Sequence, residues 1–284
     1  MTSSFYSTPP TSSTRVSRLT IRDFKKFHAT GRKIVCLTAY DATFAALLDH
    51  AGVDLLLVGD SLGNVLLGYE TTIPVTLDAM IHHTAAVVRG CRRPLVVCDL
   101  PFGTTTDPET TLRAACRVFQ ETGAQAVKLE GGAMMAPTVK RLTDQGIPVM
   151  AHIGLTPQFV HQMGGYYTHG KTEAAIARLH EDARALEAAG AFAIVLECVT
   201  PEVAASITAE LSIPTIGIGS GKSCSGQILV THDLVGLTAQ PAPKFVKPRA
   251  RLGELLIQAV GEYAREVREQ NQIHSHPAQE QPLV

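Results

Sequence analysis

Short, mostly apolar runs alternate along the chain with longer stretches in which apolar residues return every third or fourth position. The runs at 34–38, 55–58, 95–98, 126–129, 149–152, 193–196 and 215–218 have the pattern of strands covered on both faces, and 227–230 reads as the eighth. Helical spacing covers 21–29, 42–50, 76–89, 108–122, 137–145, 172–189 and 201–211. Gly52 closes the second of these, and Pro74 stands just ahead of the third. Strand and helix thus alternate about eight times, which demands parallel strands joined by crossover helices. Eight such units in roughly 230 residues is the size of a closed (β/α)8 barrel. An open, doubly wound sheet is the alternative. No GxGxxG follows the first strand, and polar residues end many strands rather than meeting at one switch point, so the barrel is the better fit. The stretch 154–171, with Gly164-Gly165 and several aromatics, is too long for a plain connector and reads as a lid or a subunit contact.

The polar residues at the strand ends carry the chemistry, because parallel α/β folds assemble their sites at that edge. Asp60 and Ser61 follow the second strand, Asp99 the third, Lys128 and Glu130 lie at the end of the fourth, His152 at the fifth and Glu197 at the sixth. Asp60 and Asp99 sit on adjacent strands, so their carboxylates can converge on one cation, in the way Mg²⁺ is usually held. Lys128 and Glu130 share a face of their strand, two positions apart. Each has a plainer reading: Asp60 as a turn residue, Lys128 with Glu130 as a structural ion pair, His152 as a hydrogen-bonded core histidine, Glu197 as a helix N-terminal acid before Pro201. A run of ionisable groups across successive strands favours a site. Glu197 follows a strongly apolar run, and a partly dry carboxylate there is a better base when ionised. A dication beside several acids suits proton abstraction next to a ketone. That step spans about 15 pK units, on the order of 20 kcal/mol. A doubly charged cation at about 4 Å contributes roughly 8 kcal/mol toward it at an effective dielectric near ~20.

Composition narrows the partners. The 284 residues carry a net charge of −1 and no basic run in the body of the chain, which argues against nucleic acid. No apolar stretch is long enough to span a bilayer. The six cysteines lack CxxC or His-Cys spacing, which fits a reducing cytoplasm better than disulfides or zinc. Only 18% of residues are charged, a surface composition suited to burial between subunits of a homo-oligomer. Residues 1–17, rich in Ser, Thr and Pro, read as a disordered tail, with a transit peptide as the alternative. Residues 18–269 read as a single barrel domain and 270–284 as a second tail.

LTAYD (37–41), AGVDLLLVGDSLGNVLLGYETTIPVTLD (51–78), DLPFG (99–103), VKLEGG (127–132) and AHIGLTPQ (151–158), with ECV, IGIGSG and GQILV further on, resemble the ketopantoate hydroxymethyltransferase family. The likeness covers about 18–249. It implies a barrel of the phosphoenolpyruvate/pyruvate superfamily type and one Mg²⁺ per subunit. The implied reaction is transfer of a one-carbon unit from 5,10-methylenetetrahydrofolate to 3-methyl-2-oxobutanoate, giving 2-dehydropantoate and tetrahydrofolate in pantothenate biosynthesis. By motif position, Asp60 and Asp99 would hold the metal with Glu130 by its water shell. Ser61 and Lys128 would bind the keto acid alongside Asp60 and Asp99. Glu197 would accept the proton, and His152 matches an active-site histidine. The resemblance also implies a homodecamer. The chain departs from the family's usual residues at Ala79, Thr104-Thr105, Tyr167, Ser220, Ser225 and Pro248-Arg249, which bear on the folate rim and subunit contacts more than on the keto-acid site. A lyase or mutase acting on another 2-oxo acid, and a non-catalytic relative, are the competing readings.

Overall fold

The computed structural model describes residues 17–238 and 243–272. Eight parallel strands close into a barrel in sequence order: β1 (Ile34–Thr38), β2 (Leu55–Val58), β3 (Leu95–Asp99), β4 (Ala126–Glu130), β5 (Val149–Gly154), β6 (Ala193–Glu197), β7 (Thr215–Ile218) and β8 (Gly226–Leu229). Helix α1 (Ile21–Ala29) precedes the barrel. Helices α2 (Ala42–His50), α3 (Leu62–Val65), α4 (Leu77–Gly90), α5 (Pro108–Thr122), α6 (Ala136–Thr143), α7 (Val160–Met163), α8 (Glu173–Ala188) and α9 (Pro201–Glu210) fill the crossovers. The expected strands and long crossover helices are all present, with ends shifted by one or two residues.

Local chemistry sets those ends. Asp41 accepts from the Phe44 N–H at 2.8 Å and starts α2, and Asp107 accepts from Glu109 and Thr110 at 3.0 and 2.9 Å ahead of Pro108 in α5. Gly123, at φ 77°, ends α5 in the left-handed conformation.

Pleating sends alternate strand residues into the barrel. Ile34, Cys36, Leu55, Leu57, Leu95, Val97, Ala126, Met150, Ala193, Val195, Ile216 and Ile228 form one buried apolar cluster. Phe24 of α1 joins it, fully buried and edge-on to Phe192 at 6.2 Å. The helix before β1 therefore stoppers the N-terminal end. At that same end Asp54, buried just before β2, accepts from Arg32 at 2.9 Å, Arg93 at 2.7 Å and the Val35 N–H at 3.1 Å.

The chain divides into two compact units, one running to Ile228 and one from Leu229. The second holds α10 (Thr231–Val235) and α11 (Leu252–Gln272). Within it the Arg249 N–H meets Leu234 O at 2.7 Å and the Gly253 N–H meets Gly236 O at 2.9 Å. The sequence reading missed α11, although Leu252, Leu256, Val260, Tyr263 and Val267 recur at helical spacing. The helix continues to Gln272, past the expected start of the C-terminal tail; the rest of that tail, and residues 1–16 of the N-terminal one, lie outside the described residues. Among the described residues no helix is long and apolar enough to cross a membrane.

Two glycines make opposite predictions. A Cβ on Gly90, at the end of α4, would sit 2.3 Å from Ala42 O and 2.6 Å from its Cα, backbone that cannot step aside. Gly90→Ala is expected to cost roughly 3 kcal/mol. Gly261, within α11, has nothing within 4 Å of that position, and Gly261→Ala is expected to gain up to about 1 kcal/mol. Thermal melts followed by circular dichroism check both signs.

Candidate active site

The strand register builds the site one rung at a time. Asp99 pairs with Lys128 across β3 and β4, Glu130 with His152 across β4 and β5, and Gly154 with Glu197 across β5 and β6. Every second residue faces inward, so Lys128 and Glu130 lie above Ala126, His152 above Met150, and Glu197 above Val195. Asp60 joins from the turn after β2. Single carboxylate oxygens of Asp60, Asp99 and Glu130 all lie within 4.8 Å of one another.

Lys128 Nζ donates to Asp99 Oδ2 at 2.6 Å and to Glu130 Oε1 at 3.3 Å. His152 stands between two glutamates, with Nδ1 3.4 Å from Glu130 Oε1 and Nε2 3.2 Å from Glu197 Oε2. These are ion-pair distances, and neither nitrogen is aligned for a hydrogen bond. The side chains of Asp99, Lys128, Glu130 and His152 are 2–5% exposed, whereas Glu197 keeps 17% exposed. Glu197 is therefore the member of this layer most open to an incoming molecule.

Four carboxylates and two cations share this volume, a surplus of two negative charges if all are ionised. Burial first, then repulsion from Asp99 and Glu130, pushes the Asp60 carboxyl well above the usual range. Burial also raises Asp99, against the pull of Lys128. Burial opposes the charge on Lys128, but Asp99, Glu130 and Asp60 together hold it above the ordinary lysine value. Burial works against Glu130 too, yet Lys128 and His152 bring it down to about 2. For His152, burial and Lys128 favour the neutral ring, while Glu130 and Glu197 overcome them and raise it to about 9. Asp99 Oδ1 is buried and has no hydrogen-bond partner. An orphaned acceptor among crowded carboxylates, all hard oxygen donors without a cysteine, fits a divalent cation such as Mg²⁺ better than zinc.

Two side chains that sequence reasoning gave no role complete the arrangement. Gln158 Nε2 donates to Asp60 Oδ2 at 2.9 Å and to Leu100 O at 3.0 Å, while its backbone N–H donates to Glu130 Oε2 at 3.1 Å. One residue from the 154–171 stretch thus braces two of the three clustered acids. Its signal was present, a glutamine closing the AHIGLTPQ motif, but its partners are remote in sequence. The fully buried Tyr40 lies after β1, and its hydroxyl sits 2.9 Å from Ser61 Oγ. The same stretch forms a 3₁₀ turn (Pro157–Phe159) and α7, then returns through a single parallel bridge between His169 and Val199.

Two of the departures are structural. Ser220 Oγ donates to Leu196 O at 2.7 Å and accepts from the Val199 N–H at 3.0 Å, clasping the turn after Glu197, where Cys198 has φ 50°. Ser225 Oγ meets His28 Nδ1 at 2.9 Å on the side of the barrel away from the acids.

A family model described as ketopantoate hydroxymethyltransferase matches residues 18–273. The chain belongs to that family. A curated relative from Heliobacterium modesticaldum, named 3-methyl-2-oxobutanoate hydroxymethyltransferase, is 53% identical over 251 residues, 88% of this chain and 91% of its own. A relative of the same name from Cyanothece is 53% identical over 261 residues, covering 91% and 98%. Solved structures share the fold of this family member at low identity. A phosphoenolpyruvate phosphomutase from Streptomyces platensis subsp. rosaceus gives a TM-score of 0.60 at 15% identity, over 90% of this chain and 92% of its own. A 2,3-dimethylmalate lyase, described as a PEP mutase/isocitrate lyase superfamily member, gives 0.56 at 17%, over 92% and 91%.

Removing the buried cation would expose the charge surplus. Lys128→Met is expected to lose on the order of 3–5 kcal/mol at pH 8 without added divalent cation. Asp60 and Asp99, with folded pKa values raised above their unfolded ones, bind more protons folded than unfolded, so the deficit should shrink as the pH falls toward 5. Melting temperatures of variant and wild type at the two pH values check this. A gap that stays constant would mean carboxylate repulsion is not its source.

Proposed function

We propose that the protein transfers a hydroxymethyl group to C3 of 3-methyl-2-oxobutanoate, giving 2-dehydropantoate, with 5,10-methylenetetrahydrofolate as donor and Mg²⁺ as cofactor. The observation that carries this reading is the buried triad of Asp60, Asp99 and Glu130 oxygens facing a glutamate that is open to the mouth. Asp60 and Asp99 would hold the cation, with Glu130 beside its water shell. When bound, the ion polarises the 2-oxo group and lowers the cost of removing the C3 proton.

The chain's own residues do the rest. Lys128 has three N–H donors, of which two are engaged by Asp99 and Glu130, so the third is available to the keto oxygen. The Tyr40–Ser61 hydroxyl pair offers a hydrogen bond to the substrate carboxylate. Glu197 takes the C3 proton, and His152 holds its carboxylate from behind at 3.2 Å. The carbanion equivalent left at C3 forms a bond to the donor's methylene carbon. One of that carbon's two C–N bonds to folate breaks as the C–C bond forms. Water takes the place of the second nitrogen and supplies the hydroxyl, and the C3 proton and a water proton end on the two freed nitrogens, so tetrahydrofolate and 2-dehydropantoate result. We also infer that the chain works in the cytoplasm as a homo-oligomer, a homodecamer by family likeness. Exposed Leu255, Ile257, Val260 and Tyr263 along α11 support self-association.

Proton exchange at C3 of 3-methyl-2-oxobutanoate, followed by NMR in deuterated water, is expected to require Mg²⁺ and to fall by about 10²- to 10⁴-fold in Glu197→Gln. Exchange that persists in that variant would move the base elsewhere. Formation of 2-dehydropantoate only when 5,10-methylenetetrahydrofolate is added identifies the transfer, whereas exchange without that product would favour a lyase or mutase. Mg²⁺ is expected to raise the melting temperature, worth about 2.7 kcal/mol at a hundred times Kd, and Asp60→Asn should abolish the shift.

A further inference from the structure

A second concavity lies beside the acid layer. It has a volume of about 360 Å³ and lies between the ends of β4 and β5, the 154–171 stretch and α8. Such a volume admits a fused bicyclic ring system, with any extended tail left along the rim. Its walls combine Ile153, Phe159, Met163 and Leu179 with the polar groups of Gln162 and His169. Apolar faces with a few placed polar atoms are what a flat heteroaromatic ring requires.

Its lining adjoins the reaction layer along the backbone. Gly131 follows Glu130, Phe159 follows Gln158, and Gly154 pairs with Glu197. A Cβ on Gly154 would sit 2.3 Å from Glu197 O, so the bare backbone at that point touches the backbone of the glutamate itself. His169 is tied to the same turn: its N–H donates to Cys198 O at 2.7 Å and its carbonyl accepts from the Thr200 N–H at 3.0 Å. Its ring stacks on Tyr167 at 4.5 Å, and Nε2 is buried with no partner. Burial holds that imidazole below its ordinary pKa, so the neutral ring presents an unspent hydrogen-bonding nitrogen. Arg178 sits at the rim, 65% exposed, with only Nε engaged, to Asp182 Oδ1 at 3.4 Å. It leaves a guanidinium edge for an anionic tail.

We propose that this cavity seats the pteridine ring of the one-carbon donor, with its carboxylate-bearing tail running past Arg178. The proposal rests on the folate reading above. A flat ring held against Gly154 would bring the transferable carbon to the Glu197 side of the keto acid.

Equilibrium dialysis with tetrahydrofolate under reducing conditions tests it, run on wild type, Ala175→Phe, which fills the cavity from α8, and Arg178→Gln. Ala175→Phe is expected to weaken binding at least about tenfold, and Arg178→Gln about threefold, while folate-independent C3 exchange stays within about twofold of wild type. Tetrahydrofolate binding unchanged in both variants would overturn the cavity assignment and leave the proposed reaction standing. Weakening by Phe102→Ala, on the β3 side of the mouth, with no effect of the two cavity variants, would also overturn it. A wild-type protein that binds no tetrahydrofolate would sink both the assignment and the folate donor, with C3 exchange still reporting on the keto-acid half. If Ala175→Phe loses exchange as well, Arg178→Gln decides: unchanged affinity counts against the cavity.

Discussion

The barrel must keep three carboxylates buried within reach of one another, with a fourth, half-buried, beside them, and the rest of the site is arranged around making that tolerable. Water would screen these charges at the surface; inside the barrel the lysine and histidine must do so, and they fall two charges short. Asp60 and Asp99 respond by holding protons more tightly than carboxylates usually do, while Glu130, within ion-pair distance of both cations, stays ionised. A protein selected only for stability would replace such a cluster with packed hydrocarbon at little or no cost. Its retention in a barrel whose lower half is plain hydrocarbon marks the upper layer as the place where stability is given up for chemistry.

The scaffold keeps this layer in register through the strands themselves. Asp99, Lys128, Glu130, His152 and Glu197 are each the last or nearly last inward residue of a strand, so their separations follow from hydrogen-bonded pairing rather than from loop conformation. Asp60 is the exception. It lies in a turn, and its placement depends on Gln158, which reaches back across the mouth to hold it.

That division explains what could be read from the chain. Strand periodicity is a local signal, and it placed the barrel, the crossovers and the sharing of a face by Lys128 and Glu130. The bracing glutamine could not be found this way, because its partners lie 98 and 58 residues distant in sequence and meet it only through a 3₁₀ turn. The Tyr40–Ser61 hydroxyl contact joins two turns whose proximity follows from strand adjacency, not from either stretch alone. Helix α11 was legible in principle. Its apolar residues keep helical spacing, but they come after the last strand, where the alternating pattern offered no place for another element.

Phe24 and the apolar layers above it have a consequence for traffic. With the base of the cylinder stoppered, the acid layer opens, among the described residues, on the side of Glu197 at the C-terminal ends of the strands. Under the reaction proposed above, the smaller guest would lodge deepest and the larger one nearer the exit, so departure would reverse arrival: the bulky donor's remnant would clear the threshold before the newly lengthened acid.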